Sequence, residues 1–285
     1  MVDLGILDVL QIFGRAGRPQ YEDMGVSYIC TSGEKLPHYI ESITSAHPIE
    51  STFLRGIVDA LNAEVALGSV TSLDDGISWL GFTYLFTRLC KAPRVYGLDA
   101  HDFEADPTLT QRRRQWITYA ANILAQHQMV EFDLAAGTLR PTNMGRIASR
   151  YYLSHKTVGV FHERLRNNLV EADALSLMSR AADFDQIPLR ESEEEELTSL
   201  LESVPCEVDG GTATAPGKVN ILLQAHISYL YVDDFALVSD MRYVAQNAGR
   251  VLLSLFELAL DKGFAMSASA FLQLAKAVDK RIWPY

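Results

Sequence analysis

The first clear pattern in the chain is a run of apolar positions at helical spacing. Leu54, Ile57, Val58, Leu61 and Val65 fall on one face of a helix. A second helix is expected from Ser72, a residue suited to capping, with Asp74 and Asp75 in the first turn where the helix dipole favours acids. It runs through Trp79, Leu80, Tyr84 and Leu85 and ends near Pro93. A third helix begins around Asp106–Pro107 and turns Ile117, Ala120, Ile123 and Leu124 inward. The period then shifts towards two. Met129–Asp133, a turn through Ala136–Gly137, and Thr138–Pro141 read as a hairpin. Three helices followed by a hairpin are the order of a winged helix, over residues 49–143.

Residues 144–285 keep the helical period and read as a helical bundle opened by Gly145–Ser154. The acid-rich run Arg190–Leu197 reads as a solvated helix face rather than a docking tail, because Leu197, Leu200 and Leu201 follow at helical spacing. Val208–Lys218, with Gly210, Gly211 and Gly217, reads as a loop. Asp233–Asp234 reads as the start of a helix. Between residues 240 and 261, Val244, Ala248, Val251, Leu252, Leu255 and Leu258 form one apolar side. Residues 1–48 look like the end of an α/β domain, with a buried strand at Gly25–Cys30 and a helix over Glu34–Ser45. So short a piece cannot complete a sheet core. The fold class expected is mainly α.

Composition adds constraints. The hydrophobic fraction of 48% over 285 residues is ample for real cores. No apolar run approaches the ~20 residues of a membrane helix, and the first residues lack the basic region of a signal peptide. Cys30, Cys90 and Cys206 are far apart and have no metal-ligand or disulfide spacing, so they are expected to be small buried hydrophobes in a reducing compartment. The seven histidines have no metal-ligand spacing, and no metal site is expected; His47 before Pro48 reads as a turn residue. The net charge of −11 argues against nonspecific coating of nucleic acid. It is uneven, however: residues 101–190 carry 11 basic and 10 acidic groups, and residues 191–285 carry 7 and 14. A few placed arginines can still line a channel.

The most informative chemistry is Gln11-Ile12-Phe13-Gly14-Arg15-Ala16-Gly17-Arg18. Planar guanidinium groups bind phosphate oxygens in a fork, and the small residues between Arg15 and Arg18 let the backbone come close. A solvated Gly-Arg loop is the plain alternative. The segment resembles motif six of superfamily 2 nucleic-acid helicases of the superkiller type. Further segments follow in that family's order: Pro48–Ser51, Leu61–Gly68, Tyr84–Arg88, Leu175–Ser176, Phe184–Ile187, Lys218–Gln224, Tyr243–Arg250 and Asp279–Trp283. The resemblance implies that residues 1–48 are the last part of a RecA-like motor domain. It also implies that the bundle is the helical domain shared with an endoplasmic-reticulum translocation protein. By the same resemblance Gln11, Gly14, Arg15 and Arg18 face the γ-phosphate of ATP, with Gln11, Arg15 and Arg18 in the catalytic role.

The cradle side of an ATP site is not found in the sequence. Gly211–Val219 has its glycines one residue too far apart for a phosphate loop, and Val219 offers no hydroxyl to magnesium. No Asp-Glu-x-His box for the metal appears. The chain is therefore expected not to hydrolyse ATP alone, with ATP and magnesium held only together with further motor domains. On the 240–261 helix, Arg242, Gln246 and Arg250 form a polar stripe with Asn247 at its edge. The eight residues between the two arginines span ~12 Å at ~1.5 Å per residue, a spacing that suits two phosphates of one strand, although a plain polar surface has the same pattern. The resemblance tips the stripe towards single-stranded RNA or DNA. Arg112, Arg113 and Arg114 read as a solvated basic face or an interdomain ion pair rather than base readers. The expected function is the carboxyl-terminal part of a helicase cassette that couples γ-phosphate sensing to strand guidance. Its implied partners are RNA or DNA, its own motor domains, and other subunits of a cointegrator or ribosome-associated complex, in the cytoplasm or nucleus and without a membrane. A non-catalytic interaction module is the alternative.

Overall fold

The computed structural model describes residues 6–17, 24–44 and 49–284. They fall into two compact units, Met1–Ser51 and Thr52–Tyr285. The first unit has helices α1 (Ile6–Phe13) and α2 (Leu36–Thr44), which bury Val9 and Tyr39. The strand expected at Gly25–Cys30 does not form. Residues 24–32 have no regular structure, and Tyr28 is 89% exposed. A strand needs a neighbour to receive its N–H and C=O groups, and the described residues of this unit contain no strand.

The second unit starts as the winged-helix order predicts, with two revisions. A 3₁₀ turn leads into α3 (Ile57–Leu67), which buries Ile57, Val58, Leu61 and Val65 and closes on left-handed Gly68. The single second helix expected through Tyr84 is two helices, α4 (Leu73–Gly81) and α5 (Tyr84–Lys91). Thr83 makes the break: its hydroxyl donates to the Leu80 carbonyl at 2.7 Å and accepts the Phe86 N–H at 3.4 Å, ending one helix and capping the next. Ser72 caps α4 as expected, through the Asp75 N–H. After the short α6 (Ala100–Ala105), Asp106 accepts the N–H groups of Thr110 and Gln111, so α7 (Thr110–Gln126) begins four residues later than expected. The hairpin of β1 (Val130–Asp133) and β2 (Thr138–Pro141) pairs Val130 with Pro141 and Asp133 with Thr138.

Seven further helices complete the unit: α8 (Asn143–Arg150), α9 (His155–Arg164), α10 (Glu171–Ser179), α11 (Glu194–Ser203), α12 (Ala215–Ile227), α13 (Phe235–Asp261) and α14 (Ala265–Lys280). One core runs without interruption from Leu61, Ile117 and Leu124 through Val158, Phe161 and Leu175 to Val251, Leu255 and Phe271. The winged helix is thus packed into the bundle. Gly145 marks a close approach: a Cβ there would sit 2.0 Å from the Met129 carbonyl oxygen, and buried Asn62 donates to the Gly145 carbonyl at 3.0 Å. A second core joins Leu197 and Leu200 to Ile221, Leu222 and Leu237.

Three expectations change here. The acid run is not wholly a solvated face. Glu193 is 0% exposed and accepts from Lys218, also 0% exposed, at 2.5 Å. Asp240 accepts from Lys218 at 2.8 Å, and Arg190 bonds both carboxylates. Those two hydrogen bonds push the Arg190 guanidinium further towards its charged form. Lys218 therefore belongs to a helix and not to a loop: Thr214 caps α12 through the Gly217 N–H, and only residues before Ala215 are non-helical or 3₁₀. Cys30 and Cys90 are exposed, against expectation, whereas Cys206 is half-buried and packs against the main core. His47 lies outside the described residues. No helix among them is long and apolar enough to cross a membrane, and no cluster among them suits a metal ion.

Candidate functional site

Helix α1 carries Gln11 on its last turn, and the chain then tightens. The Gly14 N–H donates to Leu10, Arg15 to Ile12 and Ala16 to Phe13, each within 3.0 Å. Gly17 turns at a φ of +95°, which glycine takes without strain. Gln11, Gly14 and Arg15 are exposed, and no described acid is paired with the Arg15 guanidinium. An exposed guanidinium fork of this kind suits an anion. Arg18 lies outside the described residues. Gly25 went unnoticed in the sequence: a Cβ there would lie 1.9 Å from the Ala16 carbonyl oxygen, so only glycine lets residues 24–25 pass against the arginine loop. Motif reading could not find it, because the contact depends on how the chain returns.

The second candidate is α13, 27 residues long, or ~40 Å at ~1.5 Å per residue. Asp234 caps it through the Leu237 N–H, as a helix start should. Val244, Ala248, Val251, Leu252, Leu255 and Leu258 are all buried as predicted. The polar stripe divides in two. Arg242 and Gln246 are exposed one turn apart, and nothing lies within 4 Å of the place where Gly249 would carry a Cβ. Arg250 is engaged inside the fold: it donates to the Tyr151 carbonyl at 2.5 Å, the Tyr152 carbonyl at 3.1 Å, the Asp183 carboxylate at 2.6 Å and the Asn247 side-chain oxygen at 3.2 Å. The Asn247 amide in turn donates to Tyr243. Tyr243 and Thr157 bond the same Asp183 segment, which ties α13 to α9.

The three consecutive arginines of α7 stay within the winged helix. Arg113 donates to the Ile77 carbonyl at 2.6 Å and lies over the Phe86 ring, Arg114 pairs with Asp74 at 2.7 Å, and Arg112 reaches Gln115. Arg113 and Arg114 join α7 to α4 and α5, so for these two the partners lie inside the winged helix and not in another domain. The Gly211–Val219 stretch has no phosphate-cradle geometry. The Lys218 ammonium is enclosed by carboxylates, and a Cβ at Gly217 would meet the Gly211 carbonyl oxygen at 2.0 Å.

Comparison with known proteins adds to this geometry. A profile described as Winged Helix-turn-helix domain matches residues 50–125, and one described as Sec63 Brl domain matches residues 141–285, the bundle with α13. The chain belongs to the Sec63 Brl domain family. Within that family it is 44% identical over 284 residues, 99% of its length, to activating signal cointegrator 1 complex subunit 3 of Homo sapiens, covering 13% of that protein. It is 43% identical over 286 residues to the RQC trigger complex helicase SLH1 of Saccharomyces cerevisiae, covering 14% of it. To the DExH-box ATP-dependent RNA helicase DExH14 of Arabidopsis thaliana it is 40% identical over 284 residues, again 13% of that protein. The resemblance to superkiller-type helicases thus holds along the whole Sec63 Brl chain, while the chain spans about one-eighth of these relatives.

Proposed function

We propose that this chain is the carboxyl-terminal part of an ATP-dependent helicase cassette, acting on RNA in ribosome-associated quality control, in the cytoplasm or nucleus. Residues 1–48 then belong to a RecA-like motor domain whose remaining sheet strands would pair with the extended run at 24–32. Gln11, Arg15 and Arg18 meet the γ-phosphate of an ATP whose magnesium and phosphate cradle come from protein outside this chain. The phosphoryl group of that ATP supplies the reaction, and the arginines stabilise charge as it transfers. Arg242 and Gln246 face the translocating strand, and Arg250 and Asn247 set the position of the helix that carries them. The observation that carries the reading is the continuous similarity to helicases over 99% of the chain, including the intact Gln-x-x-Gly-Arg-x-Gly-Arg segment. The name of the plant relative favours RNA, and the names of the yeast and cointegrator relatives favour work within a multisubunit complex.

The test is a graft. This chain replaces the matching segment of the yeast helicase, and RNA-stimulated ATP hydrolysis is measured. The graft should hydrolyse ATP, Arg15→Ala or Arg18→Ala should reduce the rate by about 10³-fold, and the chain alone should show no activity above its Arg15→Ala variant. An active graft indifferent to both arginines would refute the γ-phosphate role.

A further inference from the structure

The loop between α12 and α13 holds its aromatic side chains out of the fold. Val232 and Leu237 are buried in the smaller core, whereas Tyr231 and Phe235 are 82% and 87% exposed. The alternation is fixed by the backbone. The Glu196 carboxylate accepts the N–H groups of Asp233 at 2.6 Å and Asp234 at 3.0 Å, and Asp234 caps the helix that Phe235 begins. With Val232 pointing in on one side and the cap on the other, neither aromatic can turn into the core. Two large rings held clear of the core are the kind of side chain that anchors protein interfaces, since each has a large area to bury on binding.

The border of this patch is acidic. Glu194 and Glu195 are exposed on the same first turn of α11 as Glu196, which holds the 233–234 backbone, and Asp233, between the two aromatics in sequence, is exposed and accepts from the Tyr231 hydroxyl at 3.2 Å. Among the described residues no basic side chain is paired with any of these three carboxylates. That charge repels phosphate and attracts cations. Tyr229, two residues before Tyr231, shows the matching chemistry within the molecule: the Arg281 guanidinium stacks 3.6 Å from its ring centre.

We propose that Tyr231 and Phe235, bordered by Glu194, Glu195 and Asp233, form a docking surface for an arginine-rich segment of a partner protein. Guanidinium groups stack on the two rings and pair with the carboxylates around them. Arginine is preferred to lysine because its planar cation stacks on aromatic faces and forks onto carboxylates. Phe235 lies about two turns before Arg242 on the same face of α13, at the amino end of that stripe.

Binding of fluorescent polyarginine and polylysine peptides of equal length, and of poly(U), to the whole chain tests this by anisotropy. A chain of net charge −11 attracts any polycation, so the decisive variant is Tyr231→Ala with Phe235→Ala, which leaves the charge unchanged. Polyarginine should bind more tightly than polylysine, and the double variant should weaken polyarginine by about tenfold while leaving polylysine nearly unaltered. Because both rings are exposed, the melting temperature of the double variant should match the parent. A refolded variant that binds polyarginine as the parent does overturns the proposal. So does a variant that loses poly(U) in place of peptide, which would make the patch a base-stacking surface.

Discussion

Arg242 and Arg250 share one helix and one stripe, yet the first is exposed and the second is bound into the fold, and replacing each by alanine separates the role proposed for Arg242 from the structural one of Arg250. Arg250→Ala removes four hydrogen bonds, one of them to Asp183, whose side chain is 10% exposed while that of Arg250 is 28%. Removing one partner of a buried pair costs about 3–5 kcal/mol. Here Asp183 keeps the Thr157 hydroxyl, and the arginine is partly solvated, so about 2–3 kcal/mol is the appropriate figure. In a unit of this size that corresponds to a melting temperature lower by roughly 5–10 °C. Arg242→Ala removes an exposed group and should leave the melting temperature unchanged. In oligonucleotide binding the order reverses: a lost phosphate contact should weaken single-stranded RNA binding and flatten its dependence on salt by about one ion. Thermal unfolding and salt-titrated anisotropy on both variants are the assays. If Arg250→Ala melts like the parent, or Arg242→Ala binds RNA like the parent, the division of labour described for α13 is wrong.

Other outcomes follow from the packing and from the titrating groups. Gly145→Ala should destabilise the chain by about 3 kcal/mol in urea unfolding, because the new methyl meets backbone and not a movable side chain. Lys218→Met leaves Glu193 with Arg190 alone and should cost about 3–5 kcal/mol, whereas Lys218→Met with Glu193→Leu should recover most of it; equal losses would mean that the four groups do not act together. His127, beside His155 and close to Glu163, His162 and Asp59, titrates below its ordinary value, chiefly through burial and then through the His155 charge. The unfolded chain therefore takes up that proton first. Stability should fall as pH drops from about 6.5 through the lower folded value, and His127→Gln should flatten that slope in pH-dependent urea titrations.

Local rules made much of this fold legible. The spacing of Leu61 and Val65, the caps at Ser72 and Asp234, and the change of period at Val130 each depend on neighbours in sequence. The failures share a different cause. Gly25–Cys30 has the composition of a strand, but a strand needs a partner that no local pattern supplies. Glu193 looked solvated because its partner Lys218 lies 25 residues away, inside a stretch whose glycines resemble a loop. Arg250 looked like Arg242 because periodicity reports the face of a helix, and Asp183 is 67 residues distant. Gly14 and Gly17 marked a tight turn after α1 in the sequence, whereas the close passage of Gly25 against it depends on how the chain returns.

The partition along α13 also bears on how such a helix can change over generations. The groups that hold it in place and the groups it presents to the outside are different residues, so exchanging Arg242 or Gln246 for another helix-forming residue meets little folding constraint. Lineages can alter the grip of this surface, residue by residue, without first finding a compensating change in the interior.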